Sequence, residues 1–293
     1  MKLGVVFPQI ESPADPIAIR DYAQAVEGMG FDYILAYDHV LGANPDRPEG
    51  WEGRPYKFSD PFQEIFVLFG YWAGVTEKIE LAAGVLVLPQ RQTALVAKQA
   101  AQIDVLSGGR LRLGVGVGWN YVEFEALNES FTNRGKRSDE MIELMNELWT
   151  KQLVTFDGKY HKVSDAGINP LPVQQPIPLW FGGYADATFR RIARYGTGWM
   201  CAGGQSPEVA KPIIDKIQGY MEDEGRDPHT LGLDMWLPAS KIPTDQWLPS
   251  AQAWQAVGAT HIAIETMRCG YENLDQHLAT AKQFKEAVGE LQS

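Results

Sequence analysis

Short apolar runs alternate along the chain with longer stretches in which apolar residues recur every three or four positions. The runs at 2–7 (KLGVVF), 33–37 (YILAY), 79–88 (IELAAGVLVL), 110–118 (RLRLGVGVG), 177–182, 198–202 (GWMCA), 231–238 and 261–265 (HIAIE) predict eight strands. The helical spacing near 16–29, 61–75, 93–107, 135–150, 184–195, 206–224, 245–257 and 273–290 predicts a helix after each of them.

Strands that each lead into a helix pair in parallel, because the crossover helix carries the chain back to the start of the next strand. Eight such units in 293 residues fit a closed α/β (β/α)8 TIM barrel better than an open doubly wound sheet, which holds fewer units at this length. No linker or change of composition divides the chain, so one barrel domain over 1–293 is expected.

Three connections exceed the usual short loop. Residues 38–60 follow the second strand and are rich in Gly and Pro; residues 119–134 follow the fourth. Residues 151–176 precede the fifth strand and contain VTFDGKYHKV, in which Asp157-Gly158 between alternating residues predicts a β-hairpin. Loops after strands lie on the catalytic face of a barrel, so the first two insertions are expected to cover a site there, with the hairpin on the same rim.

The net charge of −11 and the pI near 5.0 argue against a surface that neutralises nucleic-acid phosphates or coats an anionic membrane, and leave a small-molecule substrate as the expected partner. Cys201 and Cys269 are far apart and make neither a disulfide framework nor a metal spacing. The start, MKLGVVFPQIESPAD, lacks the length and cleavage site of a signal peptide, and no run is long enough to span a membrane, so a cytoplasmic protein is expected.

Four features carry candidate chemistry. LGVGVGWN (113–120) has the look of a dinucleotide loop, but its third glycine falls one residue early and the next clear helix begins only near Gly135. Its glycines then either relieve crowding inside a barrel or let a planar or phosphorylated ligand approach the backbone. Asp38-His39 stands at the end of the second strand, where a barrel presents catalytic groups; the pair either transfers protons or is bonded within its own loop. Phe181-Gly182-Gly183 opens the helix at 184–195, as a phosphate-binding helix start or as a tight turn. Gly84-Val85 interrupts the third strand with a glycine, which weakens a strand unless a backbone or ligand approaches closely.

Glu80, Asp104, Glu123 and Glu265 are scattered, and no metal site is expected. Neither G-x-S-x-G nor a Walker A sequence occurs, and Cys201 lies in an apolar strand as an inert core thiol. The helix PFQEIFVLFGYWAG is apolar on nearly every face, which predicts a homodimer formed through it.

The segments YxxAYDHV, IELAAGVLVLPQRQ, LVAKQAAQIDVLSGGRLRLGVGVGW, EFEALN, RGKRSDEMIELMNELW and IPLWFGG…ARYGTGW resemble, in that order, the luciferase-like monooxygenase superfamily. The likeness is greatest to its oxidoreductases that use the deazaflavin coenzyme F420. It runs in register from Met1 to about residue 202 and is most specific over 95–118. It implies a ring bound at the C-terminal face of the barrel and hydride transfer to or from a small organic substrate.

By the same resemblance, a non-prolyl cis peptide maps onto Gly84-Val85 behind the ring. Asp38 and His39 line the ring or substrate pocket, with His39 handling a proton and Asp38 orienting it or contacting the pocket. Val117-Gly118 and Phe181-Gly182-Gly183 hold the ribityl and phosphate portion. Trp119 contacts cofactor and substrate, and Trp51, Tyr56 and Asn120 complete the substrate pocket. Trp119 stands where the sugar-phosphate branch has an acid, which points to an apolar or aromatic substrate. Arg91 occupies a common family position after the third strand. Two other readings stay open: an FMN-dependent monooxygenase using reduced flavin and oxygen, and a barrel that binds a flavin or deazaflavin without catalysis.

Overall fold

The computed structural model describes residues 1–48, 50–51, 54–201 and 205–292. Ala202 of the sixth predicted strand, Glu49, Glu52 and Gly53 of the first insertion, and Ser293 lie outside them. In chain order the strands are β1 (Lys2–Val6), β2 (Tyr33–Ala36), β3 (Glu80–Ala83), β4 (Leu86–Val87), β5 (Leu111–Gly116), β6 (Val154–Asp157), β7 (Lys162–Ala166), β8 (Leu179–Gly182), β9 (Gly198–Cys201), β10 (Gly232–Pro238) and β11 (His261–Glu265). The helices are α1 (Pro16–Gly28), α2 (Ile65–Val75), α3 (Thr93–Ser107), α4 (Tyr121–Ala126), α5 (Arg134–Thr150), α6 (Asp186–Tyr195), α7 (Pro207–Asp223), α8 (Trp247–Ala256) and α9 (Leu274–Val288).

Among the described residues, β1, β2, β3 with β4, β5, β8, β9, β10 and β11 pair in parallel and close into a ring, as the alternation predicts. The ring shuts where Lys2–Val6 faces His261–Glu265 residue for residue. Helices begin where side chains can take up free N–H groups: Asp15 accepts from Ile17 N before α1, and Glu64 from Val67 N before α2.

The predicted third strand is broken at Gly84-Val85, whose peptide bond is cis, into β3 and β4. The predicted fourth strand stops at Gly116, and Gly118 turns left-handed at φ +69°. The second insertion holds a helix that the sequence pattern did not predict, α4, capped by the Asn120 side chain.

One apolar layer fills the space between sheet and helices, and a second fills the barrel interior around Val6, Leu35, Trp180, Met200 and Ala263. At the interior's lower end, Arg112 donates to Asp234 (2.7 Å) and Glu80 (2.5 Å), and the Tyr33 hydroxyl donates to Asp234 (2.7 Å). The guanidinium lies 4.5 Å from the Tyr33 ring centre and 4.6 Å from that of Trp180, so the buried charge is held on its faces as well as its edges.

The β6–β7 hairpin is antiparallel and stands against α5. Glu140 accepts the N–H groups of Lys159, Tyr160 and His161 and faces His161 Nδ1 at 2.8 Å; the other ring nitrogen lies 2.7 Å from Thr93 Oγ1. Because Thr93 opens α3, the hairpin turn reaches the side of the barrel where the strands end. Among the described residues no helix is long and apolar enough to cross a membrane.

Candidate active site

The C-terminal ends of the strands meet around two adjoining cavities of about 420 and 410 Å³. Both are lined by Tyr37, His39, Gly84, Trp119 and Trp236. The first is a slot between β2, β4, β5 and β8. Asp38, Val85, Val117, Gly118, Gly182 and Gly183 line it, so the segments after strands two, three, four and five converge.

Its floor follows from three residues. Val85 seats its methyls against Gly116 and Gly182. A Cβ at Gly116 would come within 2.7 Å of Val85 Cγ2, and one at Gly182 within 3.0 Å of Cγ1. The glycines of LGVGVGWN therefore relieve crowding inside the barrel, and the same crowding brings backbone up to the slot. Phe181 lies outside the slot and lines a narrow cleft continuing from it, beside Ser138, Thr188 and Arg191. Arg191 pairs with Asp139 and donates to the Gly135 carbonyl (3.0 Å).

Asp38 is buried, with one oxygen accepting from Val87 N (2.9 Å) and the other from Arg91 (2.6 Å). Arg91 also pairs with Glu64 at 2.8 Å, which supplies the target its position in the sequence left undefined. Burial pushes the Asp38 carboxyl above its usual range, against the pull of Arg91 and the Val87 N–H. Both carboxylate oxygens thus hold the β4 turn. The acid beside the imidazole is instead Glu123 of α4, 3.4 Å from His39 Nδ1 and itself buried.

Glu123 also accepts from Val40 N (2.8 Å) and Leu41 N (3.3 Å), fixing the chain immediately after His39. Nothing in the sequence pattern separates it from the other scattered acids. The only signal is its place three residues after the helix-capping Asn120.

Aromatic rings pack around the imidazole. Tyr56 lies 3.6 Å from it between centres, and Phe62 4.9 Å in an edge-to-face arrangement. Tyr56 and Trp119 line the second cavity, with Phe62, Trp236 and Met267. Trp51 and Asn120 stand behind this wall. Trp51 packs on Trp119 at 5.6 Å and donates to the Tyr56 carbonyl (2.8 Å), while Asn120 donates to the Tyr56 hydroxyl (2.7 Å). The lining also includes Tyr37, Pro238 and Glu265 at strand ends and Lys241 and Arg268 just beyond them, none of which the sequence pattern singles out for this site. Among the described residues no three His, Cys, Asp or Glu side chains converge as metal ligands.

The model of a family described as luciferase-like monooxygenase matches residues 1–291. The chain is 30% identical to the FMNH2-dependent dimethylsulfone monooxygenase of Pseudomonas putida, over 70% of this chain and 54% of that protein. It is 28% identical to the F420-dependent glucose-6-phosphate dehydrogenase of Segniliparus rotundus, over 80% of this chain and 67% of that one. In fold it is similar to an F420-dependent secondary alcohol dehydrogenase in complex with an F420-acetone adduct. That likeness has a TM-score of 0.79 at 16% identity, covering 100% of this chain and 99% of the other.

Proposed function

Because the chain belongs to the luciferase-like monooxygenase family of oxidoreductases and monooxygenases, we propose that it transfers hydride between coenzyme F420 and a small organic substrate. The observation that carries this reading is the slot over Val85, walled by Val117-Gly118 and Gly182-Gly183 and adjoining the cleft at Gly182. The fit is one of chemistry. An apolar floor suits a planar ring, main chain at Val117-Gly118 suits a polyol, and Gly182-Gly183 with Thr188, on the wall of the same slot, suit a phosphate. When bound there, the deazaflavin supplies a hydride-carrying carbon at C5.

The chain's own part is positioning and proton handling. Arg91 and the Val87 N–H fix Asp38, and Asp38 in turn holds the turn after β4 against the slot. Glu123 Oε1 stands 3.4 Å from His39 Nδ1, not hydrogen-bonded to it, so a small rotation of the ring would pair them and leave Nε2 as the acceptor of a substrate proton. Tyr56, Phe62 and Trp119 exclude water around it.

Titration of cofactor-free protein with F420 and with FMN tests the reading: tight F420 binding with weak FMN binding is expected. The reverse outcome would make the protein an FMN-dependent monooxygenase, the reading favoured by the 30% identity to the dimethylsulfone enzyme. Binding of either without turnover on alcohols, enones or nitro compounds would make it a carrier. His39→Ala is expected to bind cofactor normally and to lose most turnover; full turnover would remove His39 from proton transfer.

The homodimer belongs to the same proposal. Val67 of α2 is 72% exposed, with Leu95 on the adjacent α3 and Ile17 on α1 also uncovered. Native mass spectrometry at micromolar concentration tests it, and a monomer there would refute it.

A further inference from the structure

Among the polar side chains at the mouth of the barrel that lack a hydrogen-bond partner among the described residues, Trp236, Tyr37 and Glu265 stand together. The Trp236 indole N–H is buried and unpaired, on a side chain only 7% exposed that lines both cavities. Tyr37, whose ring centre is 5.4 Å from that of Trp236, uses its backbone N–H and carbonyl on Gln9, while its hydroxyl stays unpaired. Glu265 ends β11 and lines the second cavity without a partner for its carboxyl group. Two strand ends, β2 and β10, thus place donors beside the acid on a third.

A buried donor with no partner costs free energy in the empty protein and gives it back to a ligand that supplies an acceptor. Tyr56, Phe62, Trp119 and Met267 make one side of the wall apolar, while Lys241 and Arg268 stand on it as well, so the ligand joins a polar group to an apolar framework.

We propose that Trp236, Tyr37 and Glu265 bind the polar head of the substrate, that this head is a carbonyl or hydroxyl oxygen on an apolar framework, and that the Glu265 carboxylic acid hydrogen-bonds to that oxygen. The inference rests on the substrate lobe assigned above. Hydride supplied by a bound reduced deazaflavin would bond to the carbonyl carbon and move the C=O π pair to oxygen. That oxygen would take its proton from the His39 imidazolium, leaving an alcohol and a neutral imidazole, while the Glu265 carboxylic acid stays hydrogen-bonded to it. In the opposite direction His39 Nε2 receives the proton.

Burial raises the Glu265 carboxyl above its usual range, with Glu11 adding to this and Arg268 and Lys241 opposing it. The Tyr37 phenol is held protonated by its burial, so it donates throughout the neutral range. With Trp119 in place of an acid after the fourth strand, Glu265 is the carboxyl group on the wall of the second cavity.

The test is binding of cyclohexanone and of methylenecyclohexane, its hydrocarbon counterpart, to the cofactor-free protein by ligand-observed NMR. The wild type is expected to prefer the ketone. Trp236→Phe and Tyr37→Phe are each expected to weaken ketone binding about five- to tenfold, while leaving the hydrocarbon unchanged. Ketone affinity is expected to fall as pH rises through the Glu265 titration, and Glu265→Gln to flatten that profile.

Equal binding of ketone and hydrocarbon overturns the proposal, as does an unchanged pH profile in Glu265→Gln. Circular dichroism identifies any variant that fails to fold, and the remaining two then decide. Loss of the ketone preference alongside normal F420 titration defeats this inference alone. A failed F420 titration with the preference intact defeats the cofactor reading alone.

Discussion

Gly116→Ala probes the floor of the slot directly. An added Cβ would stand 2.7 Å from Val85 Cγ2, roughly 0.7 Å inside the 3.4 Å at which ordinary van der Waals contact begins. On its other side Val85 meets Gly182, so it has no lateral room and must rise into the slot it lines. Overpacking of this kind costs about 1–3 kcal/mol. In a Val85→Ala background both Cγ atoms are gone, and alanine for glycine becomes neutral or stabilising by about 0.4–1 kcal/mol. The four proteins of this cycle, compared by urea unfolding at constant m, should give a coupling energy of about 1–3 kcal/mol. Titration of the same proteins should find cofactor binding weakened in Gly116→Ala and partly restored in the double variant. Gly182→Ala, with its contact at 3.0 Å, should cost less than Gly116→Ala. A Gly116→Ala penalty that is the same with and without the Val85 side chain would refute the reasoning.

Other parts of the fold give independent tests. Arg112→Met strands Asp234 in the barrel interior without its cation and should cost about 3–5 kcal/mol in urea; a loss below about 1 kcal/mol would mean the ion pair is dispensable. Burial depresses the His277 pKa from 6.5 to about 4, outweighing Glu11 at 3.3 Å. Its stabilising effect is thus fully present above pH 6.5 and lost as pH falls through about 4. His277→Gln should remove that part of the acid slope in denaturation curves, and an unaltered slope would contradict it. Glu140→Ala removes the acceptor for three N–H groups of the hairpin turn, so limited proteolysis should cut near 158–161 faster with F420 or FMN titration unchanged. Unchanged cleavage would mean that Thr93 and the β6–β7 pairing suffice.

The barrel was legible because its signal is repeated. Each strand and helix is weakly specified, yet eight alternations agree, and parallel pairing with right-handed crossovers leaves few ways to assemble them. The departures came where local pattern and packing disagreed. IELAAGVLVL reads as one continuous strand, but Val85 turns into the space between Gly116 and Gly182, and the strand breaks there. Tyr121–Ala126 is too short for helical periodicity to register, and only the Asn120 cap marks it. The helix over 65–75 reads as apolar all round, while the fold covers Phe66, Leu68, Phe69 and Trp72 and leaves Val67 exposed.

At the site, residue type and position at a strand end picked out Asp38 and His39, but not what each touches. Asp38 could as well have faced the imidazole as Arg91, since the two residues are adjacent and the choice depends on elements 50 or more residues away. Glu123 reaches His39 across 84 positions, and Trp236 and Glu265 reach the cavity from the last third of the chain. By itself the sequence determined the order of the elements, the face on which chemistry could occur, and which segments would bring glycine backbone there, because these follow from local periodicity and chain connectivity. Only the tertiary structure decided which carboxylate meets the imidazole, how Val85 makes a floor, and which donors are left without partners. Those are pairings across the barrel, set by close packing among strands that have no contact until the ring is closed.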